Sequence, residues 1–196
     1  LSSITIGQSL EVRGPVDEAG APLVELNGNG VSSGLVSVKD SVSVTLGSLK
    51  FTGSADRAIF NMGYLVVADS VVSGNGAYDA TDGWQIRRGG GLYSTLGKLT
   101  LSNSTVTGNA AQDGGGIFVA GGVLEVVDSH VEGNLAANGG GAYLEDGTSA
   151  EIVSSTVEGN NASEGGGIFN ETGATLELAS SFVIANEAQL WGGGVN

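Results

Sequence analysis

Several residue types are scarce in this chain, and each scarcity excludes a class of protein. Cysteine is absent from the 196 residues, so the chain has neither a disulfide framework nor a thiolate metal site. Proline occurs twice beside 35 glycines, which is unlike collagen and unlike Pro-rich disordered chains. Hydrophobic residues still make up 40% of the chain, enough to bury a core. No apolar run approaches the roughly 20 residues of a membrane helix, so we expect no membrane span in this chain.

Basic residues are also scarce. Seven Lys and Arg stand against 21 Asp and Glu, and the formal net charge is -14. This charge repels phosphate backbones and anionic membrane surfaces, so we expect no nucleic-acid partner. The chain begins without a basic segment followed by an apolar one, so we expect any export signal to have been removed or to lie outside this sequence.

The most informative feature is an internal repeat. GGG triplets begin at Gly89, Gly114, Gly139, Gly165 and Gly192, with spacings of 25, 25, 26 and 27 residues. Two further series keep the same phase. One is a serine column of Ser70, Ser104, Ser129, Ser155 and Ser181, and the other is an asparagine column of Asn75, Asn109, Asn134, Asn160 and Asn186. A fixed period of this length marks an architecture of stacked coils.

Short runs typical of β-strands lie between these series. In one repeat they span 117–119, 123–127 and 130–132, and they alternate apolar with polar residues, as in Leu124-Glu125-Val126. Such runs bury their apolar face when coils stack about 4.8 Å apart and pair each strand with its equivalents. The sequence therefore predicts an all-β fold, a parallel β-helix (solenoid) with three short strands per coil and about 7–8 coils. We expect one domain over 1–196, with irregular N-terminal coils in 1–56 and regular coils of about 25 residues in 57–196.

The recurring residues have a structural interpretation in such a helix. Residues that recur once per coil stack on their own copies, so the asparagine column can pass side-chain amide hydrogen bonds along the axis. We expect these asparagines to accept a turn conformation as well, since Asn tolerates positive φ. The GGG triplets are expected where the chain turns sharply into the first strand of each coil.

Two stretches resemble a known family. LTLSNSTVTGNAAQDGGGIF (99–118) and GGGIFN (165–170) are similar to the right-handed parallel β-helix repeats of bacterial surface proteins. These repeats include polymorphic outer-membrane proteins of the chlamydial type and the wider pectin-lyase-like superfamily. The resemblance covers about 50–196 well and 4–49 loosely. It implies right-handed coiling, export to the cell surface, and a role in adhesion or surface structure.

One irregularity predicts a binding site. The connection from the asparagine column to the GGG triplet carries an insertion at 77–88, AYDATDGWQIRR, which is rich in aromatic and charged groups. Insertions in a solenoid map to one edge, often the binding edge. We predict a binding edge that runs from this loop to the last coil and is suited to a sugar or a protein neighbour. Its residues are Tyr78, Asp79, Asp82, Trp84, Arg87, Arg88 and Trp191. The alternative is a loop that merely covers the core.

Catalysis and metal binding find little support. Some relatives cleave polysaccharides with clustered carboxylates and a basic residue. Here we expect none of the seven basic residues to lie beside an acidic cluster on an adjacent coil, and we predict no catalytic site, no enzymatic activity and no cofactor. Ca²⁺ held by Glu125, Glu151 and Glu177, which recur on an outward strand position, is an alternative to a solvated acidic face.

Two function classes follow. The first is an extracellular, non-enzymatic structural or adhesive β-helix, either part of a larger surface protein or a subunit that associates head to tail into filaments. Its partners would be a protein or a glycan at the cell surface. The second is a carbohydrate-binding or carbohydrate-active β-helix that works at the 77–88 edge.

Overall fold

Three parallel sheets of seven strands each build the molecule. The computed structural model describes residues 3–79, 83–84 and 88–196. Sheet 1 contains β1 (Ile4–Ile6), β4 (Val36–Val38), β7 (Ile59–Asn61), β12 (Leu92–Thr95), β15 (Ile117–Ala120), β18 (Ala142–Leu144) and β22 (Ile168–Asn170). Sheet 2 contains β2 (Leu10–Arg13), β5 (Ser43–Gly47), β8 (Tyr64–Ala68), β13 (Lys98–Ser102), β16 (Gly122–Val127), β19 (Thr148–Val153) and β23 (Thr175–Ala179). Sheet 3 contains β3 (Val24–Asn27), β6 (Leu49–Thr52), β9 (Val71–Ser73), β14 (Thr105–Thr107), β17 (His130–Glu132), β20 (Thr156–Glu158) and β24 (Phe182–Ile184).

The order of the strands defines a β-helix. The chain passes through sheets 1, 2 and 3 in turn and then returns to sheet 1, so each circuit is one coil. Each strand pairs in parallel with its equivalents in the preceding and following coils, and Thr100, for example, lies between Val66 and Glu125. The predicted all-β parallel β-helix with three strands per coil is confirmed, with seven coils among the described residues.

The core lies between the three sheets. Along most strands of the middle coils, as in β8 and β13, side chains alternate between the interior and the solvent, as the period of two in the sequence predicts. In sheet 2 the interior positions hold Leu65, Leu99 and Leu124, each 1% exposed or less. The first coils, predicted to be irregular, contribute β1, β2 and β3 to the same sheets. Their irregularity is an excursion over 14–23, closed by an antiparallel bridge between Val16 and Pro22.

The corner between sheets 2 and 3 repeats one backbone conformation. One residue there has positive φ in each coil after the first: Ser48, Asp69, Asn103, Asp128, Ser154 and Ser180. Polar residues of these types tolerate this conformation well. From the second of these corners onward, the next residue belongs to the serine column, and its hydroxyl accepts a hydrogen bond from the preceding coil, as from Ser70 N to Ser104 Oγ at 3.0 Å. The corner therefore repeats both its shape and its bonding.

The GGG triplets lie where the chain enters sheet 1. Only the first glycine of each triplet has positive φ, as at Gly114 with φ 62°. The third is required by close backbone approach, since a Cβ on Gly116 would lie 2.6 Å from the carbonyl oxygen of Gly141. The expectation of positive φ thus holds for the first glycine of each triplet. Backbone crowding between coils explains the glycine at the third position.

Candidate binding edge beside sheet 1

The asparagine column is a continuous chain of hydrogen-bonded amides, buried at every position but the last. Asn109 Nδ2 donates to Asn134 Oδ1 at 3.0 Å, and Asn134 Nδ2 donates to Asn160 Oδ1 at 2.9 Å. Each of these amide nitrogens also donates to a carbonyl oxygen of the preceding coil, as from Asn134 Nδ2 to Val106 O at 3.0 Å. Asn75 begins the column and Asn186 ends it. The hydrogen bonds of these side chains hold neighbouring coils together.

The expected turn conformation lies one residue earlier than predicted. Asn75, Asn109, Asn134, Asn160 and Asn186 are absent from the residues with positive φ, and the residue before each one has it instead. That residue is Gly74, Gly108, Gly133, Gly159 or Ala185. The expectation for Asn was wrong because the preceding residue, a glycine without a Cβ in four coils of the five, takes the left-handed position and leaves Asn free for amide pairing.

Two described stretches of the insertion at 77–88 pair as short antiparallel strands. Its strands are β10 (Tyr78–Asp79) and β11 (Gly83–Trp84), and the backbone of Tyr78 lies opposite that of Trp84. Asp82 and Arg87 lie outside the described residues, so their predicted part in the site stays a prediction. The insertion ends at Arg88, which returns the chain to the parallel stack through a bridge to Asp113.

Arg88 begins a column along the connection from sheet 3 to sheet 1. Parallel bridges join Arg88 to Asp113, Asp113 to Asn138 and Asn138 to Glu164, and Glu164 pairs with Trp191. The last pairing lies between β21 (Asn161–Glu164) and β25 (Glu187–Trp191), and the register shifts there by a bulge. The Trp191 side chain is exposed. We call these five residues the edge column, and it joins the end of the insertion to Trp191 in one line.

Beside the edge column runs an aromatic column that the sequence analysis missed. The outward position in the middle of sheet 1 holds Phe60, Tyr93, Phe118, Tyr143 and Phe169 in consecutive coils, with neighbouring ring centroids 4.9–5.3 Å apart. The sequence signal is an aromatic residue two positions after each of the first four triplets, as in GGGLY, GGGIF and GGGAY. Because Phe and Tyr alternate, a search for identical residues does not find it.

Most rings in the aromatic column stack on one another. Phe118 and Tyr143 are inclined by 15°, and Tyr143 and Phe169 by 10°, so their faces are occupied by neighbouring rings. The faces that these rings turn toward one another are therefore closed to a ligand. The middle of the aromatic column therefore stabilises sheet 1, and at its N-terminal end Phe60 has a serine, Ser37, in register beside it in place of a ring.

Two arginines reach over the aromatic column. The guanidinium of Arg88 lies 4.8 Å from the Phe118 ring centroid, and its Nη2 lies 3.0 Å from Glu145 Oε1. Arg57 lies 5.0 Å from the Tyr93 centroid and 5.7 Å from that of Phe60. Both are cation–π contacts, which favour arginine over lysine. Of the predicted site residues, Arg88 thus joins the edge column to the aromatic column.

Tyr143 is held by an acidic partner. Its hydroxyl donates a short hydrogen bond to Glu171 Oε1, and Glu171 Oε2 accepts from the backbone N–H of Asp146 at 2.9 Å. Burial raises the pKa of the Tyr143 hydroxyl well above its ordinary value, and the hydrogen bond and charge of Glu171 raise it further. The hydroxyl is therefore a fixed donor that orients its ring in the column.

A notch lies at the N-terminal end of the aromatic column. Ser37 is in register with Phe60 and occupies the position that a ring holds in later coils, and the shorter side chain leaves a space of about 130 Å³. The polar and aromatic groups that line it are Ser3, Ser33, Ser37, Asp56, Arg57 and Phe60. This notch was not predicted.

The glutamate column of sheet 2 is stacked in register. Glu125 pairs with Glu151, and Glu151 with Glu177. Lys98 Nζ lies 2.6 Å from Glu125 Oε1, which corrects the expectation that no basic residue lies beside an acidic cluster on an adjacent coil. The pair was missed because it is diagonal: Lys98 is in register with Val123, two residues before Glu125. Across the described ranges, no group of three or more His, Asp or Glu side chains is placed to hold a metal ion.

Comparison with known proteins shows the family. A model described as the right handed β-helix region matches residues 19–191, which is most of the chain. Neither the curated proteins nor the solved structures contain a match to this sequence. No helix in the described ranges is long and apolar enough to cross a membrane. The parallel sheets and the family match agree on the architecture, and the chain belongs to the right-handed β-helix family.

Proposed function

We propose that this chain is an extracellular, non-enzymatic structural or adhesive β-helix of the cell surface that binds its partner along the edge beside sheet 1. The observation that carries the proposal is that buried polar side chains are engaged in hydrogen bonds within the rod. The buried members of the asparagine and serine columns bond to neighbouring coils or to nearby backbone, which makes a rigid rod. We propose that the partner meets the edge column, which ends in the exposed side chain of Trp191, together with the insertion.

The edge column supports an adhesive role through its chemical variety. Arg88, Asp113, Asn138, Glu164 and Trp191 follow one another along the rod, whereas the structural columns repeat a single residue type. A scaffold position has no need of such variety, since identical side chains stack well on their own copies. Mixed charge with an exposed aromatic is typical of surfaces that recognise a partner.

The first experiment separates a structural role from a catalytic one. Purified protein is incubated with acidic and neutral polysaccharides, with and without Ca²⁺, and release of reducing ends and of unsaturated products is measured. A structural or adhesive module releases none, while adhesion of the protein to cell-surface preparations is retained. Product release by the wild type that Arg88→Ala abolishes would replace the proposal by the carbohydrate-active alternative.

The alternative function is carbohydrate binding or cleavage at the same edge. It is favoured by the arginines over the aromatic column, since aromatic and polar groups together suit a sugar with one apolar face and several hydroxyls. Replacing Trp84 and Arg87 by Ala tests the insertion itself. Unchanged partner binding in this double variant would count against the insertion as part of the adhesive surface.

Head-to-tail association is a further part of the structural proposal. The outermost strands β1, β2, β3, β23 and β24 pair on one side only, whereas β22 also bridges Val195, and unpaired strand edges add further strands readily. Both outermost coils are acidic, with Glu11 and Glu25 in the first and Glu177 and Glu187 in the last, so the association should strengthen as salt screens the repulsion. Light scattering across a salt series, with electron microscopy for rods, tests it. A monomer at every salt concentration contradicts it.

A further inference from the structure

The notch at the N-terminal end of the aromatic column combines three kinds of group within about 130 Å³. Phe60 supplies an aromatic ring, Asp56 and Arg57 supply a charged pair, and three serines supply hydroxyls. The ring lies at the end of its column, because the next position toward the N-terminus is Ser37. Phe60 is therefore the one ring of the aromatic column that has a serine in register on one side.

The charged pair in the notch is close to neutral as a unit. Arg57 Nε lies 3.2 Å from Asp56 Oδ1, and the two side chains are 24% and 23% exposed. Within the described ranges, the two terminal nitrogens of Arg57 have no hydrogen-bond partner, so their N–H groups can donate to a ligand. The second carboxylate oxygen of Asp56 is an acceptor. Donors and an acceptor side by side match a pair of vicinal hydroxyls, one of which accepts from Arg57 while the other donates to Asp56.

The ring and the serines complete a polyol site. A pyranose has one face of C–H groups, which packs on an aromatic ring, and a rim of hydroxyls, which needs polar partners. Ser3, Ser33 and Ser37 provide hydroxyls that donate or accept as required. We propose that this notch binds a neutral pyranose unit of a glycan, with the sugar on Phe60 and two adjacent hydroxyls on Asp56 and Arg57. The inference rests on the proposed adhesive role, whose ligand it specifies.

Charge favours a neutral sugar over a sugar acid. A ligand carboxylate on Arg57 would lie close to the Asp56 carboxylate, and like charges a few ångströms apart repel each other. The chain as a whole, with its net charge of -14, adds to this repulsion. Asp56 therefore selects against uronic acids, and removing its charge should reverse the preference.

The test uses the full chain and saturation-transfer NMR titrations with the methyl pyranosides of glucose, galactose and mannose, and with methyl glucuronoside. We expect the wild type to bind at least one neutral pyranoside and to prefer it to the glucuronoside. Phe60→Leu should weaken that binding about tenfold through the loss of ring stacking. Asp56→Asn should weaken binding of the neutral sugar and strengthen binding of the glucuronoside. A misfolded protein cannot show this gain in binding.

The matched control is Phe169→Leu, which removes a ring at the other end of the same aromatic column, outside the notch. It should leave sugar binding unchanged, and thermal unfolding checks that all variants fold. The inference is overturned if the wild type binds no neutral pyranoside, if it prefers the glucuronoside, or if Phe60→Leu and Phe169→Leu weaken binding equally. If cell-surface adhesion survives Phe60→Leu, the notch is not the adhesive site, but the proposed adhesive function is not contradicted.

Discussion

Asn134 Oδ1 accepts two hydrogen bonds from Asn109 in the preceding coil, one from its side-chain Nδ2 and one from its backbone N–H, each 3.0 Å long. The same arrangement joins Asn134 to Asn160 at 2.9 Å. One amide oxygen thus satisfies a backbone donor as well as a side-chain donor. Each asparagine therefore satisfies hydrogen-bond donors of the preceding coil.

Asn134→Ala tests this dependence. Asn134 is 1% exposed, so its removal leaves buried donors of Asn109 and a buried carbonyl of Val106 without their partner. Unsatisfied buried groups of this kind cost about 1–3 kcal/mol each, and we expect about 2–4 kcal/mol in total after relaxation. Urea denaturation measures the loss. Asn186→Ala, in the partly buried last position of the column, is the control and should cost less.

Ala185→Gly should stabilise the protein. Ala185 has φ 53°, at the position where earlier coils have Gly74, Gly108, Gly133 and Gly159. The left-handed conformation strains residues with a Cβ, and relief of that strain, less the greater freedom of glycine in the unfolded chain, is worth about 0.5–1 kcal/mol. Gly133→Ala is the reverse control, since its Cβ would meet nothing closer than 3.8 Å and adds strain alone. A loss of thermal stability in Ala185→Gly would refute this.

Gly116→Ala should be far more damaging than Gly133→Ala. A Cβ on Gly116 would lie 2.6 Å from Gly141 O and 3.0 Å from Asn134 Nδ2, so both the backbone stack and the asparagine column must move. We expect a loss of more than about 3 kcal/mol, as for other severe overpacking of a close-packed interior. Denaturation of the two variants under the same conditions makes the comparison. Equal losses would show that the third glycine of the triplet is not required by backbone approach.

Alkaline pH should weaken the fold through Tyr143. Because burial and Glu171 raise the pKa of this hydroxyl in the folded state, the folded protein keeps the proton when the unfolded chain has released it. The stabilisation is complete below the unfolded pKa of about 10 and is lost as the pH rises toward the folded value. Tyr143→Phe removes the group, so its denaturation midpoint should fall less than that of the wild type above about pH 10. Parallel pH dependence of the two proteins would contradict this role.

The stacking of the regular coils could be predicted because one period governs them. Residues such as Glu125, Glu151 and Glu177 recur at that period, and the structure pairs them directly. The aromatic column follows the same period but varies between Phe and Tyr, so it is visible only when residues are compared by type. Its stacked rings could have been predicted, and the arginines over it could not, because the reach of a long side chain is not set by the repeat.

The notch could not be predicted, for a reason of register. Ser37 and Phe60 are closer in sequence than the 25 residues that separate equivalent positions in later coils, such as Asn109 and Asn134. Their pairing depends on how the short early coils wind, and the period of the later coils says nothing about it. The Lys98–Glu125 ion pair was missed for a related reason, since it links diagonal neighbours and not members of one column.

The most direct test of the account is the distance between residues one coil apart. The chain contains no cysteine, so nitroxide labels can be placed at Glu151→Cys and Glu177→Cys without interference. These residues are direct partners in sheet 2, and their backbones should lie about 5 Å apart. The account predicts a strongly dipolar-broadened electron paramagnetic resonance spectrum for the double-labelled protein. A spectrum equal to the sum of the two single-labelled spectra would contradict the winding on which the edge column, the aromatic column and the notch all depend.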